Sequence, residues 1–366
     1  MDMTSNMQAA HTAATNAESY RRAGRIKVLV IAASFVGLLL LAGSVAITGI
    51  SETSLGTLFA VVVEKLTFGA VAASVDQQQA RVLLHLRLPR VVMAMIAGAS
   101  LSFAGVLMQA ITRNPLVSPY TIGVSSAAAF GASIAIMFGV GFSAAGLYFV
   151  PLTAFLFAFG CAILVFSMAW LRGMGGQTMI LTGIALMYLF SAMTAAVQFV
   201  ATQEQLARVV HWTFGSLNGI RWDAVGVAAI AMAVALPLAQ LKAWQFNALT
   251  TAGDDVARSL GIDVAVLRGL AVFLSVTVSA VVISFTGVIG FVGLIGPHVA
   301  RLLIGADHRY LLPFSCICGA VLLLLADTLG RIAFSPTVIP VGIVVAFVGV
   351  PVFLHLVLSR RSEYFS

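Results

Sequence analysis

Charge is the scarcest commodity in this chain. Asp, Glu, Lys and Arg together make up 9% of 366 residues, against about 25% in a soluble domain. A water-facing surface cannot be assembled from so little, and with 60% hydrophobic residues and a mean hydropathy of +1.05 the bilayer must be the solvent. Proline is rare (10 residues) and acidic or basic tracts are missing, which leaves no room for a disordered or soluble second domain. Of the three cysteines, Cys161, Cys316 and Cys318, each lies within an apolar segment. The last two, two positions apart, point about 200° apart on a helix. Neither a disulfide framework nor a metal cage is supported, and the cysteines read as packing residues.

Other absences bear on activity. The lysines are Lys27, Lys65 and Lys242, none in a G-x-x-x-x-G-K-[ST] loop, and no H-E-x-x-H or G-x-S-x-G signature occurs. The chain is therefore expected to be no enzyme, to bind no cofactor or metal itself, and to leave any ATP to a partner subunit. Ionisable groups deep in a membrane are functional by default, yet no carboxylate occupies the middle of any expected span, which disfavours coupling to an ion gradient. Asp327 sits near the end of its span, four residues before Arg331, and reads as half of a local i,i+4 ion pair. His298 and His355 read as packing residues. The formal charge of +7 is spread in ones and twos between apolar runs, a pattern that speaks against nucleic acid.

What is present is a series of long apolar runs, and the fold class is all-α and polytopic. A spanning helix needs roughly 20 apolar residues, which places spans near 28–48, 91–112, 119–140, 147–171, 178–200, 224–241, 311–331 and 338–358. One run, 269–305, would form a helix of about 55 Å in a core of about 30 Å, so it must turn, giving about ten spans over 28–360. Gly287, Gly290, Gly293 and Gly296 mark the easiest place. Steps of three smear them over half a helix, so turn formation and close packing both remain open for them. Pro297 falls early in the second arm.

With ten spans both termini share one side. That side collects Arg21, Arg22, Arg25, Lys27, Arg113, Arg172, Lys242, Arg258, Arg268, Arg301, Arg309, Arg360 and Arg361; the other holds Lys65, Arg81, Arg87, Arg90, Arg208, Arg221 and Arg331. The excess puts both termini in the cytoplasm, with residues 1–27 as a cytoplasmic tail. Ser44 and Ala46 are spaced as at a signal cleavage site, but the long apolar stretch favours an uncleaved first span. The longest cytoplasmic stretch after the tail runs from about Asn247 to Arg268. Asp254 and Asp255 would open a short helix, Gly261 would break it, and a second short segment would lead to Arg268. That is either a docking element for an ATPase or an ordinary polar connector.

"RLPR" at 87–90, "GASLSFAGVLMQ", "RNPLVSPYTIGVSSAAAFGA", "HWTFGSLNGIRW", "DDVARSLGIDV", "GVIGFVGLIGPHVARLLIGADHRYLLP", "LLLLADTLGR" and "IPVGIVVAFVGVPVFL" follow one another between residues 80 and 360. In content and order they resemble the permease subunits of type II ABC importers, which carry ferric siderophores, haem and vitamin B12. The resemblance implies that fold, in a bacterial inner membrane. It also implies two copies of a cytoplasmic ATP-binding subunit, a periplasmic substrate-binding protein, a second copy of this chain and surrounding membrane lipid. By position it implies binding-protein docking at Arg87, Arg90 and Arg331, with Asp327 holding Arg331 beforehand. ATPase coupling would fall to Asp254, Asp255, Arg258 and Gly261, with further contacts at Asn114, Pro115, Asp307, His308 and Arg309. A path lined by the fifth and tenth spans would include Gln198. Two departures stand out: alanine at 127 or 128 where the family often has glycine, and no carboxylate near Val338 or Ile339, where the family often has one.

Overall fold

In the computed structural model the backbone is described for residues 3–47, 56, 77–138, 146–172, 175–333 and 337–359, with side chains left aside at 3–20, 77, 146–147 and 355–359. Lys65, Arg360 and Arg361 of the charge tally, and the ends of the expected spans at 48 and 139–140, lie outside these residues, as does the side chain of His355. The elements are α1 (Met3–Ile47), α2 (Gln78–Thr112), α3 (Val124–Met137), α4 (Gly146–Leu171), α5 (Gly176–Val200), α6 (Gln203–Thr213), α7 (Trp222–Leu241), α8 (Ala243–Ser259), α9 (Val264–Thr286), α10 (Val292–Ile304), α11 (His308–Ile332) and α12 (Val341–Ser359). The expected all-α fold holds, and α1 runs through the boundary drawn at residue 28 without a break.

Among the described residues seven helices are long and apolar enough to cross a membrane, and three shorter apolar ones, Val124–Met137, Val292–Ile304 and Val341–Leu354, bring the number to ten. Hydropathy cannot separate a short helix with apolar flanks from a full span. Residues 119–123, assigned to the third span, form turns that end in Gly123 at φ +84°, and α3 starts only at Val124. Likewise α10 has 13 residues, about 20 Å, too short for a full crossing. The run 269–305 does turn where the glycines stand. Gly287 (φ +71°) ends α9, residues 287–290 are non-helical, and Phe291 in the left-handed region (φ +62°) starts α10.

Helix α2 is the axis of the bundle, with most of its most apolar window buried (78%) against 17% for α1 and for α5. Apolar burial does not drive helices together in lipid, so small residues and interhelical hydrogen bonds must. The face of α2 carrying Gly98, Ser102 and Gly105 meets α10 and α11 almost backbone to backbone. A Cβ on Gly98 would stand 2.2 Å from the carbonyl oxygen of Gly319, and one on Gly105 would stand 1.9 Å from that of Gly293. Between them the Ser102 and Ser315 hydroxyls share a 2.6 Å hydrogen bond, and Ser275 Oγ of α9 donates to Ala104 O at 3.1 Å. Gly293 and Gly296 are thus packing residues, while Gly287 makes the turn.

Helix α6, not anticipated from hydropathy, is short and amphipathic. It opens with a reciprocal capping box between Thr202 and Gln205, and Gln205 Nε2 donates to Met137 O at 2.8 Å. A second local device lies at the start of α2, where Leu83–Arg87 is π-helical. Pro89 has no N–H to continue that i−5 ladder onto Leu84 O. The Trp222 indole donates to that carbonyl instead at 2.7 Å and pins α7 to α2.

Candidate functional site

The charged residues gather at the two opposite ends of the long helices. At one end, Arg87 Nη1 donates to Ala46 O and Ile47 O, both at 3.3 Å, tying α2 to the last turn of α1. Asp327, 1% exposed, accepts from Arg90 Nε at 2.9 Å and Nη2 at 2.8 Å, and Arg331 Nε approaches it at 3.4 Å. Arg90 Nη1 also donates to Asn218 Oδ1. The expected i,i+4 pair between Asp327 and Arg331 exists, but the closer partner of Asp327 is Arg90. The pair joins α2 to α11 across 237 positions, and no local pattern announces it. All three expected docking arginines stand in this cluster, and Asn218 is a member that the sequence did not flag.

At the other end, Arg113 closes α2 in the left-handed region (φ +51°), and Asn114 Oδ1 accepts from Leu116 N at 2.9 Å, with Pro115 inside the turn. Gly253 (φ +83°) kinks α8, so a short second helix starts at Asp254, as expected, and stops at Gly261 (φ +80°). The two aspartates then part ways. Asp255 is fully exposed beside Arg258, whereas Asp254 turns inward and receives Nη1 and Nη2 of Arg268 at 2.9 and 3.0 Å. The expected second short segment leading to Arg268 is instead the first turn and more of α9. Arg268 itself is buried (5% exposed) and also donates to Ile111 O at 3.2 Å.

The Asp307–Arg309 group completes this end. Asp307 caps α11, pairs with Arg309 and accepts from Asn247 Nδ2 at 2.8 Å. Burial alone would raise the Asp307 pKa, but the hydrogen bonds from Arg309 and Asn247 prevail and hold it at about 2. Its contribution to stability is complete above the ordinary carboxylate value and is lost only as pH falls towards 2, so this contact is insensitive to pH through the physiological range. His308 was expected as a partner contact. It is buried and bonded to Asn247 Oδ1 through its backbone N–H at 2.8 Å, so it anchors α8 from beneath. A further link, Arg301 Nη2 to Gln109 Oε1 at 2.9 Å, ties α10 to α2.

Between the two ends lie neighbouring cavities of about 210 and 470 Å³ that share Tyr120, Thr213 and Val288. The smaller is lined by Ser125, Ser191, Thr194 and Gln198, the larger by Thr121, Phe291, Gly342 and Ile343. Helices α5 and α12 both line these cavities, as do the 118–121 turn and the break after α9. No charged side chain lines either cavity among the described residues. Hydroxyls and one amide offer hydrogen bonds without a net field. The 213–216 segment threads between the cavity walls, with Ser216 N donating to Thr286 O at 2.7 Å and Gly342 N to Gly215 O at 3.3 Å.

Comparison with known proteins decides the assignment, since the model of the FecCD transport family matches residues 29–359. This chain belongs to the FecCD transport family. A Methanocaldococcus jannaschii protein assigned as an ABC transporter permease is 43% identical over 77% of this chain and 83% of its own length. The molybdate import system permease of Haemophilus influenzae is 37% identical (80% and 85%), and the hemin transport system permease of Yersinia pestis is 35% identical (76% and 84%). A solved structure assigned to the metal-chelate type of ABC transporter, in an inward-facing conformation, superposes with a TM-score of 0.78 at 34% identity, covering 90% of this chain and 99% of that one. The FecCD chain is therefore a multi-pass permease of an ABC importer. That membership implies a separate ATPase and a substrate-binding partner.

Proposed function

We propose that this permease moves an iron chelate, a ferric siderophore or haem, across the inner membrane of a bacterium, with both termini in the cytoplasm. The observation that carries the reading is the division of the molecule into two charged ends around uncharged, hydroxyl-lined cavities. Large chelates need a wide passage that does not grip them, because a site that held the cargo tightly would not release it. Two copies of the chain would face each other around one axial path, with α5, α12 and Gln198 along it. The end carrying Arg87, Arg90 and Arg331 would receive the loaded periplasmic binding protein. Two cytoplasmic ATP-binding subunits would press on the α8 end, and ATP would stay on those subunits. Import of cobalamin or of an oxyanion by the same scaffold is the second reading, favoured by the molybdate permease among the relatives.

Asp255 and Arg258 on α8 and Gly261 just beyond its end are exposed, and the proposal makes them the coupling surface. Arg258→Ala or Gly261→Val should lower cargo-stimulated ATP hydrolysis several-fold in proteoliposomes without lowering the amount of permease inserted. Unchanged coupling would move the ATPase contact elsewhere. At the other end, docking through Arg90 requires its bond to Asp327 to open. Arg87→Glu leaves that pair intact but gives up the bonds to Ala46 O and Ile47 O, so the inserted amount and melting temperature are measured beside it. The substitution should weaken capture of the loaded binding protein, and capture by the wild type should fall as salt rises. Salt-independent capture would defeat charge-pair docking. Cargo is tested by growth of a deletion strain on haem, a ferric siderophore or iron salt as iron source, with cobalamin- and molybdate-dependent growth in parallel. A defect confined to haem or a siderophore supports iron-chelate import. A defect confined to cobalamin or molybdate replaces it with the second reading.

A further inference from the structure

The first helix and the start of α11 enclose a groove of about 610 Å³ lined by Arg21, Gly24, Arg25, Val28, Leu29 and Tyr310. Its two halves differ in chemistry. Arg21 and Arg25, one turn apart, share a face of α1 and are exposed, and no acidic side chain lines the groove among the described residues. One turn further on, Val28 and Leu29 are 56% and 68% exposed, at the point where the apolar run of α1 begins. The groove thus straddles the level at which a membrane changes from headgroups to acyl chains. Tyr310 forms the wall at that level, where tyrosine is favoured. Two cations stand over its ring, Lys27 Nζ 5.3 Å and Arg309 Cζ 5.5 Å from its centre. The nearby carboxylate of Asp307 is already engaged by Arg309 and Asn247, so it does not neutralise the arginines.

From this arrangement we infer that the groove binds an anionic phospholipid of the surrounding leaflet. The phosphate lies against Arg21 and Arg25, the glycerol against Gly24 and Tyr310, and an acyl chain along Val28 and Leu29. A zwitterionic headgroup would place its own cation against the arginines, so the groove discriminates by charge, and basic residues near a membrane surface each add appreciably to binding of acidic lipid. The bound lipid would join α1, which is otherwise loosely packed, to α11 at the end where the coupling residues stand. The inference is independent of the cargo.

The test is native mass spectrometry of the full-length permease in detergent, with phosphatidylglycerol and, separately, phosphatidylcholine of the same acyl chains. Wild type should retain phosphatidylglycerol, and Arg21→Gln with Arg25→Gln should lower that retention about tenfold or more. Phosphatidylcholine retention should be weak and equal in the two proteins. Arg21→Lys with Arg25→Lys should keep most of the binding. Arg172→Gln removes an exposed charge at the same end but away from the groove, and should change nothing. Equal phosphatidylglycerol retention in the double glutamine variant, or an equal loss in the Arg172 variant, would overturn the site. Displacement of phosphatidylglycerol by inorganic phosphate at equal concentration would show a free-anion site and overturn the lipid assignment. The substituted positions are exposed, and an unchanged melting curve in lipid-free detergent separates lost binding from lost folding.

Discussion

Asp327→Ala is expected to destabilise the permease by about 3–5 kcal/mol, the range for breaking one side of a buried ion pair. The carboxylate is almost completely buried and meets Arg90 and Arg331, whose side chains are themselves only 15% and 17% exposed. Removing it would leave two neighbouring cations in a poorly solvated place, each repelling the other. The alanine variant should melt well below wild type in the same detergent and lose assembled complex in membranes. Asp327→Asn keeps the shape and some hydrogen bonds, so it should fall between. If the damage comes from uncompensated charge, adding Arg90→Met and Arg331→Met to the alanine variant should restore much of the melting temperature. A single alanine variant that melts like wild type would show that the cluster contributes nothing to holding α2 against α11.

A comparable loss is expected from Gly105→Leu. The first atom of any side chain there would stand 1.9 Å from the carbonyl oxygen of Gly293, and backbone on both sides cannot turn aside as a side chain can. Ordinary overpacking costs about 1–3 kcal/mol. This position should exceed that and yield little folded protein, with Gly105→Ala impaired to a lesser degree. Gly226 on α7 provides the control, because a Cβ added there meets nothing within 4 Å. Gly226→Ala should be neutral or stabilising by up to about 1 kcal/mol through helix propensity alone. Expression and thermal unfolding in detergent would report both. Equal tolerance at the two positions would refute the view that the α2–α10 contact is limiting.

The sequence made the fold class legible because hydropathy reports burial in lipid directly, and the run 269–305 was simply too long to be one helix. It could not report which apolar segments stop short. Residues 119–123 carry Pro119 and Gly123 inside an apolar run, a local signal that a hydropathy window averages away, whereas the turn at 287–291 stands where the glycines marked it. Helix α6 was missed although its signal, Thr202 followed by Gln205, was present. A capping box before a half-polar segment does not register in a hydropathy scan. The site was legible where residues act locally, as with Gly261 and the Asp327–Arg331 spacing. Partnerships that join distant segments, Arg90 with Asp327 and Arg268 with Asp254, depend on the tertiary fold. The placement of His308 beneath α8 has the same origin.

After its π-helical turn, α2 runs as a continuous α-helix over Leu88–Thr112, 25 residues and about 37 Å, with Arg90 in its first turn and Arg113 directly after its last. Its tightest contacts, at Gly98 and Gly105, lie between those ends. Such a rod resists bending far more than it resists rocking about the place where it is clamped. A small tilt imposed at the Arg90 end would therefore reappear at the Arg113 end in the opposite direction, with an amplitude fixed by the two arm lengths. Because Arg90 is held by Asp327 at one end and Ile111 O and Gln109 by Arg268 and Arg301 at the other, such a tilt would carry α9, α10 and α11 with it.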